Sequence, residues 1–256
     1  MTAQMLLRLA LVPTAVWIAS LAARRWGHRV SGYLGGMPMI GGPITLFLAI
    51  DLGPEFAARS ALFTLAAIAG QAAHLLAFAW VGRRARWPLA LASGWSAFAA
   101  TSFAVSRVPL DPLVALAIAA VSLLAAWRWL PREEGGTLAA TIPPMELRLR
   151  LVAAVALAGL ILWAAPVFGP VASGILLSMP ITGSIMPPFT LALHGYAAVA
   201  RLLRGFVVGL SGFATFFTTL CLTLGPWGIV PAFMAAFALA PAAAFAVDRL
   251  ARAQAP

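Results

Sequence analysis

The sequence predicts an all-helical integral membrane protein with nine transmembrane helices, arranged four plus one plus four as an inverted-topology repeat with interrupted second and seventh helices. Three observations lead there. The 256 residues are 62% hydrophobic and only 9% charged, with a mean hydropathy of +0.97. A water-soluble domain needs far more polar surface. The stretch Gly27–Pro43, GHRVSGYLGGMPMIGGP, returns ungapped at Gly169–Ile185 as GPVASGILLSMPITGSI, with seven of seventeen positions identical. The arginines, which supply all seventeen basic residues, gather in alternate loops.

Nine apolar runs come close to the length of about 20 residues that crosses a bilayer core: 5–21, 30–50, 61–81, 87–105, 108–130, 151–168, 172–193, 206–224 and 228–247. The first, with Arg8 ahead of an apolar run and Ser20-Leu21-Ala22-Ala23 after it, also fits a cleavable signal peptide. Against cleavage, Leu7-Arg8-Leu9 returns as Leu149-Arg150-Leu151 at the same 142-residue offset. The second and seventh runs hold the repeated glycine- and proline-rich stretch. The fifth is the weakest, with Asp111 near one end and Arg128 near the other. In the fourth and ninth, Phe-Ala-Val-Ser-Arg at 103–107 matches Phe-Ala-Val-Asp-Arg at 245–249. The duplication therefore runs ungapped over 7–107 and 149–249. Five spans separate equivalent points, an odd number, so the two units should cross the membrane in opposite directions. Three divisions follow: a first four-helix unit at 1–107, a linking fifth helix and cytoplasmic loop at 108–148, and the inverted second unit at 149–256. The connection 131–150, with Glu133, Glu134 and Pro143-Pro144, reads as a solvated hinge.

With the N-terminus outside, fourteen arginines fall on the inner side and three, Arg8, Arg59 and Arg107, on the outer. Positive charge concentrates on the cytoplasmic side of membrane proteins, so the C-terminus is expected there. Trp26, Trp80, Trp87, Trp127 and Trp129 collect at the same boundary as interfacial anchors. Arginine in place of lysine, together with heavy alanine use, points to a GC-rich bacterial genome and hence to the inner membrane. The formal charge of +10 is a matter of topology and not of nucleic-acid binding. A single cysteine, Cys221, excludes an intrachain disulfide and a cysteine-based metal cluster. Three scattered histidines argue against a metal site, and no cofactor is expected.

Glycine and proline inside a membrane helix free backbone groups, which is tolerated only where protein or a water-filled cavity satisfies them. Paired interruptions in corresponding repeats point to a transporter's binding site. Half-helix N-termini there would present N–H groups and a positive dipole end to an anion, and exposed carbonyls at the other half could hold a cation. The candidate lining is Ser31, Met37, Pro38, Gly41 and Gly42 from the second span, with Ser173, Met179, Pro180, Thr182 and Gly183 from the seventh. Close packing of helices through small residues is the competing explanation. In the third span Gln71 and His74 share a face, with Thr64 two turns earlier. Polar groups at that depth usually face a cavity or a partner, and His74 could act as a proton site or as a neutral hydrogen-bonded residue. Their second-copy equivalents are Phe213 and Phe216, so any such role belongs to one half. Ser211, Thr215, Thr218 and Thr219 in the eighth span could line a path or bind sodium, or could bond back to their own helix.

Gly209-Leu210-Ser211-Gly212 resembles the GxSG stretch around the nucleophile of rhomboid intramembrane proteases. Those proteins pair the serine with a histidine on a later span, and none follows His194 here, so an enzyme is not expected. Ser31-Gly32-Tyr33-Leu34-Gly35 through Pro43 is similar to the serine- and glycine-rich stretch ahead of a proline in TauE/SafE-type anion exporters. Those are of similar length and built of two inverted units. This chain lacks their triple glycine and carries the motif on the second span of the unit, so it is not assigned to them. No carboxylate lies mid-span, which disfavours proton coupling through a buried acid and tilts the solute toward an anionic or neutral one. The expected function is secondary transport of a small solute by alternating access of the two units. The alternative is a non-transporting membrane subunit that scaffolds a partner or handles lipid. The coupling ion, proton or sodium, and any homo-oligomer are left open, while the lipid bilayer and a small-molecule solute are the expected partners.

Overall fold

The computed structural model describes residues 14, 17, 30, 32–131 and 144–253. It is 89% helix, with no strand among the described residues, which establishes the all-helical class. Several of its helices are long and apolar enough to cross a membrane. Of the run expected at 5–21 only residues 14 and 17 are described, so it lies otherwise outside the described residues.

The first described span, Gly32–Leu52, is helical at 32–36, breaks at 37–40 and resumes as α1, Gly41–Leu52. Gly53, at φ 92°, turns the chain in a conformation open to glycine. Pro54 then starts α2, Pro54–Ala66, at a position where its missing N–H costs nothing. A step at Ala67 leads into α3, Ile68–Gly82, and the two make one 29-residue run. Next come α4, Trp87–Val105, and α5, Pro112–Trp129. Asp111 caps α5, its Oδ1 accepting from the backbone N–H groups of Leu113 at 2.8 Å and Val114 at 2.9 Å. The acid that weakened this span in the sequence is thus its start signal. The last elements are α6, Pro144–Leu177, α7, Ile181–Trp227, and α8, Ile229–Ala253.

Helix is nearly continuous over the 81 residues Leu147–Trp227. At 1.5 Å per residue that is roughly 120 Å, four times the hydrocarbon thickness of about 30 Å, so it cannot be one span. Gly169 (φ 76°) divides α6, and Gly195 (φ 77°) divides α7 into arms at 181–194 and 196–227. Gly53 and Gly195 are 142 residues apart.

Three boundaries move from where hydropathy puts them. The third span starts at Pro54 and not at 61, because Glu55 and Arg59 lower the hydropathy of an end that is nonetheless helical. The eighth resumes directly after Gly195, ten residues before 206, although Arg201 and Arg204 lie in that stretch. The sixth begins at Pro144, so the hinge expected at 131–150 ends sooner.

The 54–82 run is mostly buried, whereas α4 and α5 are largely exposed. It is the centre of the bundle, and α4 and α5 are peripheral, turning Leu89, Phe103, Leu113, Val121 and Leu124 outward. The α2 helix packs against α6 and α7, and α3 packs against α4 and α5. The α8 helix lies along α7, while α5 touches α2, α3 and α7 and so ties the two parts of the chain together. At the edge, Arg204 donates to the Leu130 carbonyl (3.0 Å) and lies over Trp127 at 4.3 Å. Arg107 over Phe103 (4.6 Å) is matched 142 residues on by Arg249 over Phe245 (5.0 Å).

Candidate site at the two helix breaks

Each break is built on a Met-Pro pair. After Met37-Pro38 the Met39 N–H donates back to the Met37 carbonyl at 2.8 Å, and after Met179-Pro180 the Ile181 N–H does the same to Met179 at 2.8 Å. Pro180 has φ −78° and ψ 57°, the inverse γ-turn, in which proline's fixed φ fits and its absent N–H is not missed. The flanking bonds match as well: Met37 to Leu34 and Met179 to Leu176 before the turn, Gly42 to Pro38 and Ser184 to Pro180 after it. Between these bonds two N–H groups in each break, on Ile40 and Gly41 and on Thr182 and Gly183, have no backbone partner among the described residues. Neither arm carries a side-chain cap.

The breaks are placed by glycines. A Cβ on Gly32 would fall on the Leu202 carbonyl oxygen, with the Phe206 nitrogen at 3.0 Å. A Cβ on Gly174, its equivalent, would lie 2.6 Å from the Ser60 carbonyl oxygen and 2.9 Å from the Thr64 nitrogen. Leu202 and Phe206 are themselves the equivalents of Ser60 and Thr64. Each interrupted helix is therefore seated on the long helix of the other part of the chain. The two also meet directly, since a Cβ on Gly35 would be 3.0 Å from Met186 Sδ.

Around these matched backbones the side chains differ. Gly183 faces His74, which is fully buried, with Nε2 3.3 Å from the Gly183 carbonyl oxygen. That contact requires Nε2 to carry the proton and donate, which leaves Nδ1 an acceptor. Nδ1 lies against Gly94 with no hydrogen-bond partner among the described residues. Trp95 meets the imidazole edge-on at 6.2 Å. Gln71, one turn earlier on the same face and 9% exposed, has no side-chain partner among the described residues. Thr64 donates to Ser60 O (2.8 Å) and lies 3.2 Å from Gly174 O. Gly41 and Gly42 instead face aromatic rings: their added Cβ atoms would be 3.3 Å from Phe217 and from Phe216 and Phe237.

Of the residues singled out in the sequence, Gly183, Pro180, Thr182 and His74 gather at the second break, with Gln71 on the His74 face. Met37, Pro38, Gly41 and Gly42 gather at the first, Met37 with its sulfur toward Gly212. Ser173 is buried with its hydroxyl donating to Gly169 O at 2.9 Å, and Met179 is half-buried in the turn. Ser31 lies outside the described residues. Ser211, Thr215 and Thr219 bond back to their own helix at 2.6–2.9 Å, while the buried Thr218 hydroxyl has no partner among the described residues. What sequence reasoning missed is the seating surface, Leu202, Phe206 and Gly209, and the aromatic cover of the first break by Phe213, Phe216 and Phe217. The offset to Ser60, Thr64, Gln71 and His74 was the signal that could have found most of it.

Fold and site together define a multi-pass helical membrane protein with two matched, discontinuous helices at its centre. Comparisons with protein families, curated proteins and solved structures return no match.

Proposed function

We propose that this protein is a secondary transporter that moves a small anionic or neutral solute, with the two breaks at its centre. The observation that carries the reading is the pair of breaks with matching hydrogen bonds, 142 residues apart, each seated on the helix of the other unit. Four open N–H groups within a bilayer need protein, water or a solute to meet them. The seating geometry and the matched turns at Gly53 and Gly195 support nine spans in a four-plus-one-plus-four inverted repeat, with the N-terminus outside and the C-terminus in the cytoplasm. One unit rocking on the other at the glycine contacts would expose the breaks to either side in turn. The bacterial inner membrane is the location this reading requires.

A scaffold or lipid-handling subunit is the second reading, favoured by the aromatic packing over Gly41 and Gly42. Thermal stability of the purified protein against small anions, cations, neutral metabolites and lipids separates the two. A transporter gives saturable stabilisation by one solute, and vesicles containing the protein then take up that solute. Stabilisation by lipid alone, with no uptake of any solute, overturns transport.

A further inference from the structure

The arms that follow the two breaks differ in how one carbonyl is met. A carbonyl inside an α-helix accepts from the N–H four residues further on. For Gly41 that residue is Thr45, whose hydroxyl also donates to the Gly41 oxygen at 2.7 Å. For Gly183, the equivalent of Gly41, it is Pro187. Proline has no N–H, and its ring crowds the carbonyl four residues back and turns it aside. Pro188 does the same to the Ser184 carbonyl. A carbonyl left this way inside a bilayer needs a donor from outside its own helix.

His74 is that donor for Gly183. Its Nε2 lies 3.3 Å from the Gly183 oxygen, across 109 residues of chain. The imidazole is fully buried and fixed by α4: a Cβ on Gly94 would lie 2.8 Å from Nδ1, and Trp95 meets the ring edge-on. In the other unit the equivalent ring is Phe216, set edge-on at 5.0 Å to Phe237, the equivalent of Trp95. Each ring stands beside an arm, Phe216 at 3.3 Å from the Cβ position of Gly42 and His74 at 3.7 Å from that of Gly183. The fold thus puts a ring at both breaks, and only the one opposite Pro187 can donate.

We propose that His74 is a latch on the second break, a positioning residue whose N–H replaces the one that Pro187 lacks and so ties the start of the 181–194 arm to α3. The first break has no counterpart, since the Gly41 carbonyl is served from its own helix and Phe216 only packs. The consequence is one-sided. Drawing the second arm away from α3 exchanges one protein hydrogen bond for one to water. It also wets Nδ1, which is buried with no partner among the described residues while the latch is closed. Drawing the first arm away would uncover the Phe216 and Phe217 rings and gain no such bond. The second break is therefore the one poised to open. The inference goes beyond the transport reading and does not depend on it.

The test is hydrogen exchange, read by mass spectrometry on the full-length protein in detergent with no solute added. His74→Phe gives the second break the ring of the first. It should speed exchange in residues 181–194 by about tenfold or more, the worth of one lost hydrogen bond, and leave 41–52 within about threefold. His74→Gln, which carries an N–H to a similar reach without the ring, should stay within about threefold of the native protein in both segments. Pro187→Ala returns a donor to the helix, so adding it to His74→Phe should shrink the His74→Phe effect to less than about threefold. An effect of His74→Phe that is equal in the two segments overturns the one-sided latch. An effect undiminished beside Pro187→Ala, or a His74→Gln protein as loose as His74→Phe, overturns the replacement of the proline's missing bond. If His74→Phe does not fold, recovery of a folded protein on adding Pro187→Ala supports the latch, and no recovery overturns it. Uptake by vesicles is a separate readout: the expected exchange with no uptake of any solute keeps the latch and removes transport.

Discussion

Replacing Gly209 by alanine tests whether the first interrupted helix is seated on the long arm of α7. An added Cβ would stand 2.9 Å from Gly36 Cα and 3.0 Å from the Tyr33 carbonyl carbon, with the Tyr33 carbonyl oxygen closer still. Carbon pairs are comfortable at about 3.5–4.0 Å, so the 32–36 segment would have to withdraw by roughly 0.5–1 Å to relieve the carbons and by about 1 Å or more to clear the Tyr33 oxygen. Overpacking of this kind costs about 1–3 kcal/mol, and the obstruction is backbone, which cannot rotate away. Alanine's better helix propensity returns about 1 kcal/mol. Because a backbone obstruction puts the cost in the upper part of that range, the net loss is about 1–2 kcal/mol, or a fall in Tm of about 2–8 °C at about 2–4 °C per kcal/mol. The control is Gly159→Ala, also within a helix but with nothing within 4 Å of its Cβ. Propensity acts alone there, and Tm should rise by up to about 2–4 °C. The two variants make the same chemical change, so the opposite sign is the measurement. If Gly209→Ala melts within 1 °C of Gly159→Ala, the two helices are not in the contact described.

Three further outcomes follow from the same contacts. Asp111→Ala removes the cap of α5 and should cost about 1 kcal/mol, whereas Asp111→Asn, which can still accept from Leu113 and Val114, should cost less than half of that by thermal melting. His74→Ala leaves both a cavity and an unmet Gly183 carbonyl in the centre of the bundle, so a loss of about 2–4 kcal/mol is expected, with faster amide exchange concentrated in residues 181–194. Arg204→Lys keeps the charge but loses the flat face over Trp127, and should cost about 0.5–1 kcal/mol while altering Trp127 fluorescence.

The breaks were legible because their cause is local. Met-Pro with glycine close behind loses helical hydrogen bonds and side-chain packing together, and the chemistry that stops the helix lies within four residues of the stop. Several of the apolar helices were legible for a similar reason, since a helix that crosses must be about as long as the bilayer is thick. Boundaries set by backbone conformation were not. Gly195 breaks the helix between His194 and Tyr196 with no polar cluster to announce a loop. The hydropathy scan therefore left 194–205 outside any span, although the helix resumes at once. Likewise Glu55 and Arg59 read as a loop, but they occupy exposed positions on a helix whose other face carries the fully buried Ala57, Ser60 and Ala61.

The polarity of the two breaks was half legible. That Gln71 and His74 stand where the other unit has Phe213 and Phe216 can be read directly from the offset. What that difference does could not be read, because the break His74 faces lies 109 residues away, in the other part of the chain. The glycine contacts supply the missing step. Gly32 on Leu202 and Gly174 on Ser60 show that each long helix seats the break of the other part of the chain. Phe213 and Phe216 thus cover Gly41 and Gly42, and His74 faces Gly183. A reading that kept each long helix with the break nearest it in sequence would pair His74 with Met37 and Gly41, at the wrong break. The crossed seating puts His74 at the second break, where its Nε2 meets the Gly183 carbonyl.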